Sequence, residues 1–201
     1  MAGDRIEDLA RAFERFPGIG PRQARRFVYH LLSLPLSDRT RIAELVSKLA
    51  ENVRQCPECM RFANGTGPSC SYCTDTSRDN ALLLVVEKDQ DLLAVERAGM
   101  YKGRYFVLGG VLTLSGKGVI REKELIRSIT QRLEHGMAEI ILALSATSEG
   151  ENTADHIREL LLPFRDRVKI TKLGRGLATG SELEYSDAET LSGALQNRKE
   201  T

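Results

Sequence analysis

ALLLVVEKDQDLLAVERAGMYKGRYFVL (residues 81–108) reads as strand, helix, strand. The opening ALLLVV is an unbroken apolar run that ends in a charged turn, the pattern of a strand covered on both faces. Leu92, Leu93, Val95 and Ala98 then recur at helical spacing. RYFVL makes a second strand and runs into a glycine-rich connection. The alternation continues downstream. Leu125, Ile126, Ile129 and Leu133 predict a helix, EIILAL (139–144) a third strand, Ala154, Ile157, Leu160 and Leu161 another helix, and RVKITKL (167–173) a fourth strand. Strands alternating with helices imply βαβ units, and so an α/β fold with a parallel sheet flanked by helices on both sides.

Upstream of this segment the periodicity is purely helical. Ile6, Leu9, Ala10 and Phe13 form one amphipathic stripe, and Ala24, Phe27, Val28, Leu31 and Leu32 a second. A third runs through Ile42, Leu45, Val46, Leu49 and Val53, with Ser37 or Asp38 as its expected N-cap. The first two stripes are joined by FPGIGP (16–21). Proline cannot continue a helix interior, and glycine adopts conformations closed to other residues. Gly18 and Gly20 leave backbone N–H groups uncovered, and Pro21 is a favoured first-turn residue for the next helix. A helix N-terminus carries partial positive charge and unpaired donors, so a phosphate can sit there. Arg22, Arg25 and Arg26 follow at once, with Arg22 and Arg26 four apart on one face. This arrangement resembles the helix-hairpin-helix of DNA-repair proteins. The resemblance implies contacts to the phosphate backbone without sequence readout, through Gly18, Gly20, Arg22, Arg25 and Arg26.

All four cysteines of the chain fall in one short segment: Cys56-x2-Cys59 and Cys70-x2-Cys73. Two residues between cysteines allow a tight turn to place both sulfurs on one tetrahedral ion, and two such knuckles close its coordination sphere. A closed sphere leaves no position for water, so the expected role is structural, with one Zn2+ per chain. Four cysteines also suit an iron–sulfur cluster, and a reducing compartment disfavours disulfides. The segment offers few core residues, so the metal is expected to replace a core here.

Acidic groups follow the strands. Glu87 ends the first, and Glu149 and Glu151 follow the third in SATSEGENTAD (145–155). In an open parallel sheet, sites gather outside the carboxyl ends of strands. The pattern resembles the Toprim domain of bacterial primases, type IA topoisomerases and some nucleases. There a glutamate follows one strand, and DxD followed by EG follows another. Glu87 and Glu149-Gly150 match, while Ser145 and Thr147 occupy the positions of the two aspartates. Mg2+ prefers anionic oxygen ligands, and neutral hydroxyls in those places predict a vestigial acidic site at Glu87, Glu149 and Glu151 with no catalytic residue. Asp89 and Asp91 are expected to be solvated at a helix N-terminus. GRGLATG (174–180) lacks both the P-loop and the dinucleotide pattern and is expected to be a turn. None of His30, His135 and His156 has a second candidate ligand beside it in the sequence.

Composition narrows the classes. The chain has 201 residues, 41% hydrophobic and 28% charged, with net charge +1, values ordinary for a globular protein. Aromatics at 5% argue against a surface that stacks single-stranded bases. There is no apolar run of transmembrane length. The N-terminus is charged throughout, without an apolar signal core, so a cytoplasmic protein is expected.

The order of hairpin, four-cysteine knuckle, Toprim-like sheet and glycine-rich tail resembles the RecR family of bacterial recombination mediators over nearly the whole chain. FPGIGPRQARRFVYHLL, LLVVEKDQDLLAVERAGMYKGRYFVLGG and KLGRGLATGSELEYSDAETLSGALQNR carry most of the likeness. It implies a helix-hairpin-helix domain over 1–54, a C4 zinc finger over 55–78, a Toprim domain over 79–174 and a C-terminal tail over 175–201 that packs on the Toprim domain or a neighbouring subunit. It further implies a non-enzymatic DNA-binding adaptor in recombinational repair. Such an adaptor acts with RecO or RecF to help load RecA on single-stranded or gapped DNA, at the nucleoid, as a ring-like homotetramer. The competing readings are a Mg-dependent Toprim nuclease or primase using Glu87, Glu149 and Glu151, and a zinc-stabilised oligomer with no DNA role.

Overall fold

The first helix begins at an aspartate. In a computed structural model, which describes residues 4–198, the Asp4 carboxylate accepts the Ile6 N–H at 3.0 Å and starts α1 (Arg5–Glu14). α2 (Pro21–Ser33) has its proline in the first turn and Gly20 as N-cap. Ala10 and Ala24 are fully buried where α1 meets α2, and their small side chains let the two backbones approach. Val28, Ile6, Phe13 and Ile19 close this small core. The rings of Phe13 and Phe27 meet edge to face at 5.8 Å between centroids, a favoured aromatic geometry.

Two expectations fail in the third stripe. α3 (Leu36–Ser47) starts at Pro35, without a side-chain cap. Ser37 and Asp38 therefore lie inside its first turn, where Asp38 still opposes the helix dipole. The helix also stops short of Val53. Lys48 turns to φ −91°, ψ 0°, and only the single turn α4 (Leu49–Asn52) follows. Leu45, Val46 and Leu49 are 63%, 70% and 65% exposed, so nothing within this unit holds the stripe as one straight helix. Contacts within the chain divide it into two units, with the boundary after Val53.

The chain then makes a two-stranded ribbon from β1 (Val53–Gln55) and β2 (Phe62–Asn64) and the one-turn helix α5 (Ser71–Thr74). The alternating segment follows: β3 (Asp79–Val86), α6 (Asp89–Ala98), β4 (Gly103–Val107), α7 (Glu122–Leu133), β5 (Glu139–Ala143), α8 (Ser148–Leu160) and β6 (Lys169–Lys172). All four strands are parallel, in the order β4-β3-β5-β6. Leu84 is in register with Tyr105 on one side and Ile141 on the other. Residues of β3 alternate between two cores. Leu83 and Val85 pack with Phe106, Ile140, Leu125, Ile129 and Ile157, under α7 and α8. Leu84 and Val86 pack with Tyr105, Val107 and Leu92, under α6. Helices thus cover both faces, which is why the strands read as continuous apolar runs.

Chain order fixes where a site can form. β3 is followed by its neighbour on one side, β4, and then by its neighbour on the other, β5. The crevice between the carboxyl ends of β3 and β5 is the topological switch point, where ligands of such sheets bind. Past β6 the chain makes only a 3-10 turn (Leu183–Tyr185) before α9 (Ala188–Gln196), capped by Asp187, whose carboxylate accepts the Thr190 N–H at 2.9 Å. No described helix is long and apolar enough to cross a membrane.

Candidate nucleic-acid interface and metal centre

The hairpin turn closes through backbone bonds, Phe16 N–H to Phe13 C=O at 3.0 Å and Ile19 N–H to Phe16 C=O at 3.1 Å. Gly18 sits at φ +77°, a left-handed conformation that favours glycine. Gly20 has an ordinary φ, so its value lies elsewhere. A Cβ at Gly18 or at Gly20 would meet no atom within 4 Å, so both face open space and let a ligand approach the backbone. No side chain caps α2, and its first turn holds no acid. The three arginines part ways. Arg25 forms a two-pronged pair with Glu7 of α1, Nε to Oε1 at 2.8 Å and Nη2 to Oε2 at 3.1 Å. That pairing holds the Glu7 carboxyl below its ordinary range and raises Arg25. Among the described residues, Arg26 donates only to Gln23 Oε1 at 3.3 Å. Arg22 makes no hydrogen bond or ion pair among the described residues, and Arg22 and Arg26 are both exposed.

The four cysteine sulfurs converge within 4.8 Å of one another. Cys59 and Cys70 Sγ are 3.6 Å apart, and Cys56 and Cys73 Sγ 3.9 Å. A tetrahedron with metal–sulfur bonds of about 2.3 Å has edges of about 3.8 Å, so the spacing fits one ion. A multi-iron cluster puts its cysteines on different irons and so further apart. Close contact among the thiols drives Cys56 down and Cys59 and Cys73 up from the usual thiol range. Four such groups cannot all ionise together unless a cation joins them. Among the described residues these cysteines are the one group of three or more ligating side chains so placed.

The knuckle is fastened to the sheet. Cys59 C=O accepts the Val107 N–H at 2.8 Å. Arg104, in β4 and only 7% exposed, donates through Nη1 to the carbonyls of Tyr72 at 2.8 Å and Cys73 at 2.9 Å. Ser128 of α7 donates to Glu58 C=O at 3.1 Å. Met60 lies in the larger sheet core, so the metal does not wholly replace a core here. Asp89 is not simply solvated, for its carboxylate accepts the Phe62 N–H of β2 at 2.9 Å. Asp91 caps α6, accepting the Lys88 N–H at 2.9 Å.

At the switch point the crevice is closed. Glu87 is buried, and its Oε1 accepts the Ser145 backbone N–H at 2.6 Å, joining the end of β3 to the end of β5. Thr147 is the N-cap of α8, its hydroxyl accepting the Gly150 N–H at 3.1 Å. Gly150 packs so tightly that a Cβ there would fall 2.0 Å from Ser145 O and 3.3 Å from Glu87 Oε1. Glu151 turns away to Lys172 and Arg175. The three acids do not assemble into a ligand set.

Comparison with known proteins gives this geometry a family. A model of the RecR helix-hairpin-helix matches residues 6–51, a Toprim domain model residues 81–174, and a RecR C-terminal model residues 176–199. The recombination protein RecR of Ruegeria sp. (strain TM1040) is 44% identical over 197 residues, covering 97% of this chain and 96% of that protein. RecR of Prochlorococcus marinus (strain MIT 9303) is 41% identical over 188 residues, covering 93% and 96%. RecR of Chlorobium limicola is 39% identical over 197 residues, covering 96% and 95%.

The chain belongs to the RecR family. That membership carries a role in recombination repair, and the helix-hairpin-helix supports interaction with DNA. In this RecR chain several contributors carry little sequence signal of their own. Glu7 selects which hairpin arginine is engaged, Arg104 clasps the knuckle, and Lys172 and Arg175 draw Glu151 from the switch point. An arginine inside the apolar run RYFVL was the one hint available for the clasp. His156 pairs with Glu122 at 2.8 Å on the surface, remote in role from any ligand set.

Proposed function

We propose that the protein is a non-enzymatic DNA-binding adaptor of recombinational repair, acting in the cytoplasm at the nucleoid. It works with RecO or RecF to help load RecA on single-stranded or gapped DNA. The observation that carries this reading is the closed switch point. The ligand positions of a Toprim metal site hold a backbone bond to Glu87, a helix cap at Thr147 and the charge-paired Glu151. DNA is held instead by the hairpin. Its backbone at Gly18 and Gly20, the N-terminus of α2, and the exposed guanidiniums of Arg22 and Arg26 meet phosphates without reading bases. Arg25 contributes by holding α1 to α2. The C4 cluster takes one Zn2+ in a closed, structural sphere.

A ring-like homotetramer fits the apolar surfaces left open. Leu45, Val46 and Leu49 on the hairpin unit, and Leu183, Tyr185 and Leu195 on the tail, are exposed. Self-association at both places would cover them. The test of the adaptor reading is incubation of nicked, gapped and single-stranded DNA with Mg2+ or Mn2+. Binding without scission is the expected result. Scission that disappears in Glu87→Gln would establish a Toprim nuclease in its place.

A further inference from the structure

A polar cavity of about 520 Å3 lies between the cysteine knuckle, β4 and α7. Its size falls in the range of small-molecule sites. Two guanidiniums line it, and neither is fully used. Arg104 spends Nε on Asn80 Oδ1 at 2.9 Å and Nη1 on two knuckle carbonyls. Its Nη2 makes no hydrogen bond among the described residues. Arg132 spends Nε on Ser128 Oγ at 3.2 Å, while its Nη2 is buried with no hydrogen-bond partner. That nitrogen is ion-paired with Glu58 Oε2 at 3.8 Å, a distance beyond hydrogen-bond reach. A buried guanidinium nitrogen without an acceptor calls for an explanation, and an absent ligand is one. The planar fork of arginine matches phosphate oxygens in pairs.

The acids of the lining narrow the ligand. Glu58 and Glu134 also line the cavity, and Glu58 already accepts the Ser69 hydroxyl. A bare anion would serve the guanidiniums and face two carboxylates. A molecule that carries a phosphate together with hydroxyl or amino donors serves both the guanidiniums and the carboxylates. We propose that this cavity binds a 5′-phosphorylated nucleotide, with its phosphate on Arg104 and Arg132 and its sugar or base donors toward Glu58 and Glu134. The ligand is either a free mononucleotide or the terminal nucleotide of a DNA strand.

Calorimetric titration of the full, metal-loaded chain with deoxyadenosine 5′-monophosphate tests the idea, with deoxyadenosine as the phosphate-free control. Saturable binding of the monophosphate is expected. Deoxyadenosine should bind roughly tenfold more weakly or not at all, since the charge-assisted fork is lost. Arg132→Gln should weaken the monophosphate by a similar factor, with metal content and far-ultraviolet dichroism unchanged. Arg132→Lys, which keeps the charge and loses the fork, should fall between and covers the case in which Arg132→Gln fails to fold. Arg22→Ala with Arg26→Ala should leave this binding untouched, which separates it from the hairpin reading. Competition by a 5′-phosphorylated oligonucleotide, and not by its 5′-hydroxyl twin, would assign the site to a DNA end. Competition by neither would assign it to the free nucleotide. No saturation at millimolar monophosphate, equal affinity for deoxyadenosine, or indifference to both Arg132 variants would overturn the proposal.

Discussion

Replacing Arg22 and Arg26 by alanine removes the two hairpin guanidiniums that carry no ion pair. Each phosphate neutralised on duplex DNA contributes about 0.9 to the slope of log K against log salt, so the double variant should lower the slope magnitude by about 1.8. Taken to 0.1 M salt from a 1 M reference, where this term vanishes, that is about a 60-fold loss of affinity. Between 50 and 200 mM salt the parent should weaken about 12-fold more than the variant. Arg25→Ala should barely alter the slope, because Arg25 is already held by both oxygens of Glu7. Fluorescence anisotropy of a labelled duplex over a salt series, repeated on an unrelated duplex, reads all of this. The two duplexes should give the same slopes. An unchanged slope in the double variant, or a shift for Arg25→Ala as large as for Arg22→Ala, would refute the assignment.

Other outcomes follow from the second unit. Gly150→Ala places a methyl 2.0 Å from the Ser145 carbonyl oxygen, and forcing that backbone apart should cost about 1–3 kcal/mol in denaturant unfolding. A full-strength melt in Gly150→Ala would mean that the start of α8 is looser than its geometry. Cys59→Ser removes a fully buried ligand and should abolish stoichiometric metal in elemental analysis. Metal uptake by the parent should release protons, so its affinity should fall as pH drops and the thiolates are protonated; pH-independent affinity would contradict a thiolate sphere.

Much of the sheet was readable because β3 is buried on both faces. Leu82 to Val86 had to be apolar without alternation, and that pattern is local. The cysteine spacing and PGIG were readable for the same reason, since each encodes a turn within a few residues. What escaped was non-local or negative. The pairing of Arg25 with Glu7 joins residues 18 apart, and that of Asp89 with Phe62 joins residues 27 apart. Neither leaves a trace in periodicity. The break at Lys48 has no proline or glycine to announce it. The apolar stripe continues across it, but most of the stripe is exposed in this unit, so packing does not enforce the continuous helix that the pattern predicted. Pro35 displaced the expected caps because it already supplies the extended backbone that precedes a helix. At the switch point the sequence showed which acids were missing. The fate of those that remain depended on Lys172 and Arg175, one strand further on.

Met60 belongs to the sheet's hydrophobic interior while its neighbours Cys56 and Cys59 turn into the four-sulfur cluster, and Arg104 reaches back from β4 to grip the other half of the same loop. The four-cysteine ribbon is therefore not a detachable cassette. Transplanting it between relatives without the matching edge strand should fail, and stripping the ion should loosen the nucleus of the whole α/β body along with the loop.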